Sequence, residues 1–493
     1  MGEKRQYIAV DLGAESGRIM LGQVSDCELT LHEIYRFSNG PKEENGSLRW
    51  GFARLFSEIK TGIAKAVEAA DGEISGIGVD SWGVDFGLID KDGKLIAKPY
   101  HYRDSHTDGM MEKAFQLIHK KAVYDNTGIQ FLQFNTIYQL LAMRLANSQI
   151  LQKANKLVFM ADLVSYHLCG EVFGEYTLAS TSQLMNMRTG RWAKEVFDKL
   201  SLPIDIMPDI VKPGTVAGRL TGRIANEIGC DRVPVIAVGS HDTASAVASV
   251  PAQDNNWAYI SSGTWSLMGV EVPAAIINDE TYKYGFTNEG GVENTIRLLK
   301  NIMGLWLVQQ CQRQWKREGV DLSYSELTAM AEKAEPFVAH LNPNRSDFLS
   351  PGDMPARINE YLSSTGQVEV SNKGQLIRVV LENLTFNYRW VLERIEEIIR
   401  KRIDVMHIVG GGIQNELLCQ FAADVIGRKV ITGPVEATAS GNIMMQAIAL
   451  GQMSSLAEGR AMIRNSFSLK EYLPTDSELW DRKYREVERM FAS

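Results

Sequence analysis

Asp242 is placed where a carboxylate could act as a general base. An apolar run over residues 233–239 leads into Ser240-His241-Asp242-Thr243, and a small-residue, helix-like run follows. The positive end of a helix keeps a nearby carboxylate ionised, and an ionised carboxylate can accept a proton from a substrate hydroxyl. The alternative is a helix N-cap, where Asp is favoured. His241 is predicted to orient a substrate or to be structural, because none of the eight histidines has zinc-ligand spacing.

A glycine-containing turn near the N-terminus, Asp11-Leu12-Gly13-Ala14-Glu15-Ser16-Gly17-Arg18, links two strand-like runs. Glycine lets backbone N–H groups approach an anion closely and Ser16 adds a hydroxyl donor, so the turn could bind phosphate. It is not a Walker A loop, because it lacks Gly-Lys-Ser/Thr and is followed by a strand. Asp11 could hold a hydrated Mg²⁺, since that ion prefers carboxylate and water ligands. The alternative is a hairpin turn with a capping aspartate.

Two further turns could contact a phosphate group. The turn Ser261-Ser262-Gly263-Thr264 offers hydroxyls and backbone donors, and its alternative is a β-turn of small residues. The triplet Gly410-Gly411-Gly412 separates a strand-like run from a helix-like run, where bare backbone could meet a phosphate; its alternative is a plain loop. The triplet does not fit the Gly-x-Gly-x-x-Gly pattern, so NAD binding has little support.

Residues 78–86, Gly-Val-Asp-Ser-Trp-Gly-Val-Asp-Phe, are predicted to form a strand, a turn and a second strand. An aromatic face combined with backbone and carboxylate hydrogen bonds is a common way to hold a sugar, and this segment supplies all three. The alternative is a tryptophan buried in a hairpin.

The elements around these residues indicate a duplicated α/β chain. The strand–turn–strand plan of residues 7–24 recurs at residues 257–270, and each half then alternates strands with helices. If the two halves face each other, their turns lie opposite one another across a cleft. The second half is predicted to contain a helix reaching residue 399, strands at 406–409 and 429–432, and helices at 417–426 and 440–450. Residues 100–229 form a helix-rich, irregular addition. The domain boundary is placed before Pro251, giving domains 1–248 and 249–493.

The composition describes a folded protein with more than one core. The chain has 493 residues, 45% hydrophobic and 23% charged. Its net charge of −8 leaves no positive field for nucleic acid, which is therefore not an expected partner. Five scattered cysteines without a Cys-x-x-Cys pair indicate a reducing compartment. No apolar run approaches the ~18 residues that a membrane span needs, and no signal region is evident. A cytoplasmic protein without a membrane partner is expected.

Taken together and in order, seven short motifs resemble the FGGY family of carbohydrate kinases over residues 7–450. They are residues 10–14, Asp80-Ser81-Trp82-Gly83, residues 240–246, 261–266, 301–306 and 410–412, and Glu436-Ala437-Thr438 with Gly441-Asn442. The resemblance implies an actin-like, two-lobed α/β ATPase fold, a duplicated ribonuclease H-like fold with an interlobe cleft. It implies a sugar-binding lobe at 1–248 and a nucleotide-binding lobe at 249–493. The implied reaction uses ATP and Mg²⁺ to phosphorylate the 1-hydroxyl of L-rhamnulose in rhamnose catabolism.

The resemblance also implies a role for individual residues. Asp242 would be the catalytic base and Asp11 the Mg²⁺ ligand. The residues implied to bind ATP are Ala14, Glu15, Ser16, Gly17, Arg18, Thr264, Gln309 and Gly411. The residues implied to bind the sugar are Gly83, His241, Asp242, Thr243 and Asn301. Position 15 departs from the family, whose loop is usually rich in Ser or Thr. A Glu15 carboxylate would repel phosphate unless its side chain points away.

Two other functions stay open. A kinase on the same fold could act on L-fuculose, xylulose or another ketose, and a panel of sugars separates these because a misplaced hydroxyl leaves buried polar groups unpaired. An actin-like ATPase without a sugar substrate, such as a chaperone or a filament protein, would hydrolyse ATP with no sugar present. No appended partner-binding domain is evident for that role. The sequence does not decide between a monomer and a dimer.

Overall fold

The computed structural model describes residues 4–26 and 28–492, and these residues form two compact units. The first unit contains the described residues of Met1–Pro251 together with Glu271–Leu298 and Ala437–Phe467. The second unit contains Ala252–Val270, Leu299–Glu436 and the described residues of Ser468–Ser493. Each unit is therefore assembled from segments that are distant along the chain.

The strands follow the chain in this order: β1 Arg5–Leu12, β2 Ser16–Ser25, β3 Glu28–Ser38, β4 Pro41–Glu44, β5 Ser47–Trp50, β6 Ile74–Ser81, β7 Phe86–Ile89, β8 Lys156–Phe159, β9 Gly174–Glu175, β10 Met185–Asn186, β11 Arg191–Trp192, β12 Ile210–Val211, β13 Thr215–Arg219, β14 Pro234–Ala237, β15 Trp257–Ser262, β16 Trp265–Val272, β17 Thr287–Gly290, β18 Ile296–Met303, β19 Val405–Val409, β20 Lys429–Thr432 and β21 Lys470–Tyr472.

The α-helices are α1 Phe52–Ala69, α2 Met110–Leu117, α3 Lys120–Thr127, α4 Thr136–Leu145, α5 Gln149–Lys153, α6 Met160–Cys169, α7 Tyr176–Ser180, α8 Lys194–Leu200, α9 Gly222–Ile228, α10 Asp242–Ala248, α11 Asp279–Tyr284, α12 Trp306–Arg317, α13 Tyr324–Glu332, α14 Met354–Ser364, α15 Lys373–Ile399, α16 Glu416–Ile426, α17 Ala437–Ala449, α18 Leu456–Ser466 and α19 Ser477–Val487.

The central sheet of the first unit has six strands in the order β13-β14-β6-β1-β2-β3. Strand β1 pairs antiparallel with β2 and parallel with β6, and β14 lies parallel to β6 on its other side. Both β1 and β6 are almost continuously buried, as expected of strands covered on two faces. Because β1 and β6 are parallel, their carboxyl ends at Leu12 and Ser81 reach the same edge of the sheet.

Helices cover both faces of this sheet, with α1 on one face and α17 on the other. Side chains alternate between the two faces of a strand, so Ile8 and Val10 join the core that contains α1, whereas Tyr7 and Ala9 join the core that contains α17. Helix α1 is amphipathic and buries Leu55, Ile59 and Ile63 among its apolar residues. Helix α17 comes from late in the chain and is buried over most of its length. The first unit is thus completed by residues that follow β20 of the second unit in the chain.

The second unit is built around strands that pair in the order β16-β15-β19-β20-β21. Strand β15 pairs antiparallel with β16 and parallel with β19, which in turn is parallel to β20. The 27-residue helix α15 has buried residues along most of its length and packs against α13 and α16. Strands β15 and β19 end at Ser262 and Val409, so the second hairpin and the glycine triplet meet at one edge.

Most of the predicted elements are confirmed. Both hairpins form, residues 100–229 are rich in helices, and the later strands and helices lie within three residues of their predicted positions. Residues 78–86 contain the predicted strand, turn and strand, but β7 pairs with β8 and not with β6. None of the described helices is long and apolar enough to cross a membrane. The four described cysteines are free, and Cys27 lies outside the described residues.

The predicted boundary between 1–248 and 249–493 differs from the two compact units in three segments. The first unit extends to Pro251 and also takes Glu271–Leu298 and Ala437–Phe467 from the later half of the chain. The physical reason is packing, because α17 covers one face of the first sheet. The division of the chain into a sugar-binding and a nucleotide-binding lobe stays a prediction.

Candidate active site

The end of β6 holds the segment that carries Asp242. The Ser81 N–H donates to the Ser240 carbonyl at 2.9 Å, and Ser81 forms a short parallel bridge with His241. Helix α10 begins immediately afterwards, with His241 at its N-cap and Asp242 as its first residue. The alternative prediction, that Asp242 is the N-cap, is off by one residue, because His241 occupies the N-cap position. The end of β6 therefore fixes the position of the backbone that leads into Asp242.

The Asp242 carboxylate has one engaged oxygen and one accessible oxygen. Its Oδ1 accepts hydrogen bonds from the Thr243 N–H and hydroxyl, and the His241 Nε2 lies 3.5 Å from it. Within the described chain, no donor is recorded for Oδ2, and the side chain is 33% exposed. Burial raises the pKa of Asp242; His241 opposes that rise, and the nearby Asp11 carboxylate adds to it. The arrangement is that of a carboxylate able to accept a proton.

Two more carboxylates stand beside it on neighbouring strands. Asp11 and Asp80 are partners in the parallel register of β1 and β6, and both are buried. Asp11 Oδ2 accepts a hydrogen bond from the Arg18 guanidinium across the hairpin. Asp80 Oδ2 accepts one from Asn442 at 2.6 Å, whereas its Oδ1 has no partner among the described residues. Burial raises the pKa of Asp80 well above its ordinary value, with the Asp11 charge as the second cause.

Helix α17 approaches this edge closely because small residues line the contact. A Cβ on Gly441 would lie 1.8 Å from the Ser245 carbonyl oxygen of α10. A Cβ on Gly78 would lie 2.4 Å from the Asn442 amide oxygen, which itself accepts a hydrogen bond from Gln446. Glycine at 78 and 441 thus lets one buried helix touch both the strand that carries Asp80 and the helix that carries Asp242.

The short helix α7 connects three segments of the site through buried hydrogen bonds. Glu175, at its N-cap, accepts hydrogen bonds from the Thr177 and Leu178 N–H groups and, at 3.1 Å, from the Ser240 N–H. The Thr177 hydroxyl accepts the His241 N–H at 3.1 Å. Burial raises the pKa of Glu175 to about 7, although these donors favour its ionised form.

The end of α7 reaches two further segments. The Thr181 hydroxyl accepts the Val84 N–H at 3.0 Å, and the Ser180 hydroxyl accepts the Gly290 N–H at 2.8 Å. Gly83 packs on the same threonine, because a Cβ there would lie 2.9 Å from the Thr181 hydroxyl oxygen. Helix α7 therefore fixes the backbone before Asp242, beside Gly83 and beside Glu289.

His241 also contacts a buried ion pair. Its Nδ1 lies 3.1 Å from the Arg297 Nη2 and 3.3 Å from the Glu289 Oε2, and Nη2 lies 3.2 Å from the same Glu289 oxygen. Arg297 is fully buried, and its Nε donates to the Gly290 carbonyl at 2.8 Å. Burial acts to raise the pKa of Glu289, but His241 and Arg297 outweigh it and the pKa lies below its ordinary value.

Trp82 is a structural side chain and not an open sugar platform. It is 7% exposed and its ring lies 4.2 Å from that of Trp50. Both indole N–H groups donate to Asp85 Oδ2, and Gln139 donates to Oδ1 at 3.0 Å. Burial raises the pKa of Asp85 to about 7, against the effect of these donors. The alternative that buries the tryptophan is the one that this packing favours.

The hairpin of the second unit has a turn, residues 261–264, that contains no ionisable side chain. The tip residues Gly263 and Thr264 accept hydrogen bonds through their carbonyls from the Leu305 and Trp306 N–H groups at the start of α12. The Thr264 hydroxyl donates to the Gln309 side chain at 3.2 Å. Thr264 and Gln309, both predicted as nucleotide ligands, are therefore neighbours.

The glycine triplet lies against the end of β15. A Cβ on Gly412 would lie 2.0 Å from the Ser262 hydroxyl oxygen, and one on Gly410 would lie 3.0 Å from the Ser262 carbonyl. A Cβ on Gly411 would meet no atom within 4 Å. Two of the three glycines are thus required by packing, and the middle one borders open space.

The remaining predicted residues are distributed as follows. In the first hairpin Glu15 is exposed, Ala14 and Ser16 are half-buried, and Gly17 is buried against the Phe37 ring. The exposed Glu15 at the tip is consistent with the reservation about a carboxylate in that loop. In the second unit Asn301 is a half-buried residue of β18. The first unit brings together Asp11, Arg18, Gly83, His241, Asp242 and Thr243 around one sheet edge; the second brings together Thr264 and Gln309.

The sequence analysis did not identify Glu175, Glu289 or Arg297. All three are buried and far along the chain from their partners in the Asp242 segment. Glu175 lies 65 residues from Ser240, Arg297 lies 56 residues from His241, and Glu289 lies 48 residues from His241. A local signal exists only for Glu175, which precedes Thr177 as an N-cap residue would. The other two carry no pattern that separates them from surface charges.

Curated proteins similar in sequence to this chain include rhamnulokinases. The chain is 45% identical over 481 residues to a rhamnulokinase of Bacteroides thetaiotaomicron, and the match covers 98% of each chain. It is 38% identical over 470 residues to a rhamnulokinase of Bacillus subtilis, covering 95% of this chain and 96% of that one.

Solved structures share the fold at low identity. A gluconate kinase from Lactobacillus acidophilus superposes with a TM-score of 0.82 at 16% identity, covering 100% of this chain and 99% of the other. A Plasmodium falciparum glycerol kinase with ADP gives 0.79 at 16% identity, covering 99% of each chain. The predicted actin-like α/β fold is confirmed.

Family models account for nearly all of the chain. The N-terminal domain of the FGGY family of carbohydrate kinases matches residues 6–248, and the C-terminal domain of that family matches residues 258–450. The motifs that suggested this family from sequence lie within these two matches. The chain therefore belongs to the FGGY family of carbohydrate kinases.

Proposed function

We propose that the protein transfers the γ-phosphoryl group of ATP to the 1-hydroxyl of L-rhamnulose, giving L-rhamnulose 1-phosphate and ADP. The observation that carries the chemistry is the Asp242 carboxylate, which has an exposed oxygen and a pKa raised by burial. The choice of sugar is supported by relatives at 45% and 38% identity that are named rhamnulokinases. The substrates, ATP and a free sugar, fit a cytoplasmic enzyme.

In this proposal Asp242 is the general base. The oxygen of the sugar hydroxyl attacks the γ-phosphorus, and Asp242 Oδ2 accepts the hydroxyl proton. Asp242 Oδ1 stays hydrogen-bonded to Thr243. General-base catalysis of this kind is typically worth ~10²–10⁴-fold. Gly83, His241, Thr243 and Asn301 bind the sugar, so that its hydroxyl is held in line with the phosphate.

The nucleotide is assigned to the two hairpin turns and the glycine triplet. The residues assigned to ATP are Ala14, Glu15, Ser16, Gly17, Arg18, Thr264, Gln309 and Gly411. The open space beside Gly411 and the hydroxyl of Thr264 suit a polyphosphate that approaches bare backbone. Among these, Glu15 contributes through its backbone, since a carboxylate would repel the phosphates.

Mg²⁺ is assigned to Asp11. The pair of Asp11 and Asp80, with the unpartnered Asp80 Oδ1, offers carboxylate oxygens of the kind that a hydrated Mg²⁺ accepts. No group of three or more His, Cys, Asp or Glu side chains suited to a metal occurs among the described residues, so the ion would keep several waters. When bound, it would neutralise charge on the phosphates.

The test is an ADP-release assay with Mg-ATP and separate L-rhamnulose, L-fuculose, D-xylulose, L-ribulose and glycerol reactions, with a no-sugar control. We expect the highest kcat/KM with L-rhamnulose. A higher kcat/KM with another ketose would replace the substrate and keep the kinase. Equal ADP release without sugar would replace the kinase by an ATPase.

A further inference from the structure

We propose that Arg297 is a positioning residue that fixes His241 as the neutral imidazole protonated on Nε2, the ring nitrogen on the side of Asp242. Glu289 serves as the counter-ion that keeps the guanidinium in place. The inference rests on the proposed function, in which His241 and Asp242 meet the sugar. It adds two residues, from β17 and β18, that touch neither substrate.

The argument begins with burial. Arg297 is fully buried, and His241 and Glu289 are 7% and 5% exposed. A buried charge is tolerated only when it is paired and hydrogen-bonded, and Arg297 meets both conditions through Glu289 at 3.2 Å and the Gly290 carbonyl at 2.8 Å. The guanidinium is therefore held at Nη2 and Nε, while its Nη1 has no partner among the described residues.

The second step concerns the proton on His241. A guanidinium donates hydrogen bonds and never accepts them, and it keeps its proton in proteins. The Arg297 Nη2 lies 3.1 Å from the His241 Nδ1, so a proton on Nδ1 would set two donors against each other. Nδ1 in this arrangement carries its lone pair toward Arg297. Glu289 Oε2 lies 3.3 Å from Nδ1 and could accept a proton from it; the Arg297 hydrogen bond to Nδ1 disfavours that competing tautomer.

The third step follows from the ring geometry. A neutral imidazole with a bare Nδ1 carries its proton on Nε2, which lies 3.5 Å from Asp242 Oδ1. At 3.5 Å this contact is too long to count as a hydrogen bond, and the Thr243 donors already hold Oδ1, so Oδ2 is the oxygen left for a substrate hydroxyl. Arg297 thus sets, through one histidine, which ring nitrogen carries the proton beside the Asp242 carboxylate.

The direct test reads the His241 tautomer in the intact protein. Protein labelled with ¹⁵N-histidine is recorded by long-range ¹H–¹⁵N correlation, and the His241→Asn spectrum identifies the relevant ring. We expect the pattern of a neutral ring protonated on Nε2 at pH 7.5. A ring protonated on Nδ1, or on both nitrogens, would overturn the proposal. This readout needs no substrate, so it stands even if the sugar assignment fails.

Variants then connect the tautomer to function. Arg297→Lys keeps the charge but loses the planar fork. We expect the Nε2 pattern to be lost and the KM for the ketose to rise about tenfold, by analogy with the roughly 10–100-fold losses that follow removal of a hydrogen-bond partner that orients a metal-ligating histidine. The KM for ATP should not change. Glu289→Gln retains an oxygen that can accept from Arg297, so the tautomer should persist with a lower melting temperature. A ketose KM for Arg297→Lys within twofold of wild type would refute the positioning role.

A matched control is available in the same unit. Arg460 is another largely buried arginine, paired with Glu271 at 2.7 Å and bonded to backbone carbonyls of α10. Arg460→Lys removes a comparable fork without contacting His241, so it should leave the His241 pattern and the ketose KM unchanged. An equal rise in KM in both variants would mean that Arg297 acts only through general stability. If Arg297→Lys fails to fold, the wild-type spectrum still decides the tautomer.

Discussion

The two hairpins of the protein share a backbone plan and differ in chemistry. In each unit an antiparallel hairpin stands beside a parallel strand, β1–β2 with β6 in the first and β15–β16 with β19 in the second. In the first hairpin, the cross-strand pair next to the one nearest the turn is Asp11 with Arg18, which form an ion pair. In the second it is Ser261 with Leu267, which carries no charge.

The tips are also held differently. In the first hairpin the Asn39 side chain donates to the Gly13 carbonyl, and the Asn39 N–H donates to the Glu15 carbonyl. In the second, backbone N–H groups at the start of α12 hold the tip. The comparison teaches that the duplicated topology provides two similar turns, whereas the ionisable groups of the proposed site belong to the first unit. The first unit would supply proton and metal chemistry and the second would supply neutral hydrogen bonds.

The largest expected effect tests the charged side of this comparison. Asp242→Asn removes the base but keeps the side-chain shape, and an amide oxygen can still accept the Thr243 N–H. We expect kcat to fall by ~10²–10⁴-fold with little change in ATP binding. Steady-state ADP release and nucleotide titration measure the two quantities. A kcat within a few-fold of wild type would mean that another group takes the proton.

The next effect tests the neutral side. Thr264→Val keeps the shape and loses the hydroxyl, which in this assignment donates to the terminal phosphate. A hydrogen bond to a charged group is worth about 1.5–3 kcal/mol, so kcat/KM for ATP should fall roughly 10- to 150-fold. The variant should keep the wild-type melting temperature, because the hydroxyl's partner Gln309 can bond to water. An unchanged kcat/KM would remove Thr264 from the nucleotide site.

A matched pair of glycine substitutions separates packing from ligand approach. A Cβ on Gly17 would lie 2.2 Å from the Phe37 ring, whereas one on Gly263 would come no closer than 3.8 Å to any neighbour. We expect Gly17→Ala to lower the free energy of unfolding by about 1–3 kcal/mol and Gly263→Ala to leave it unchanged while raising the KM for ATP. Chemical denaturation and kinetics together would show this. Equal destabilisation in both would contradict the difference described for the two tips.

The smallest effect is a pH shift that should arise in the first unit alone. Activity needs ionised Asp242, and burial raises the pKa of that carboxyl, so kcat/KM should increase with pH through a value above the ordinary aspartate range. Thr264→Val should lower the whole pH profile without moving its acidic limb. If the acidic limb of the kcat/KM profile shifts in Thr264→Val, a group of the second unit must influence the titration that controls activity.

Local patterns were enough to predict the hairpins and the later strands and helices. Alternating apolar residues around a glycine-containing turn indicate a hairpin whatever its surroundings, and both hairpins are confirmed. The partner of β7 was not predictable, because residues 86–89 pair with residues 156–159 and no local signal encodes that distance. Pairing depends on tertiary packing, which a single sequence does not display.

The same limit applies to the site. Asp242, Thr264 and the glycine triplet follow or precede recognisable strands, so their neighbourhood could be predicted, and their roles stay predictions. Glu289 and Arg297 could not be found, since a buried charge and a surface charge look alike in sequence, and Glu175 offers only a local N-cap signal. At Gly17, Gly410 and Gly412 the sequence suggests only phosphate approach as the reason for glycine, whereas the structure adds a packing reason, because a Cβ there would meet side chains or backbone of the protein.

Helix α17 has a consequence for how the protein is made. Its Gln446 donates to the Ile8 carbonyl, 438 residues away, and its Asn442 donates to Asp80, 362 residues away. During translation the first sheet therefore emerges from the ribosome long before the helix that covers one of its faces. The nascent chain must carry Tyr7, Ala9 and Met20 uncovered while almost all of the second unit is synthesised, so chaperone demand should be highest before residue 437 appears.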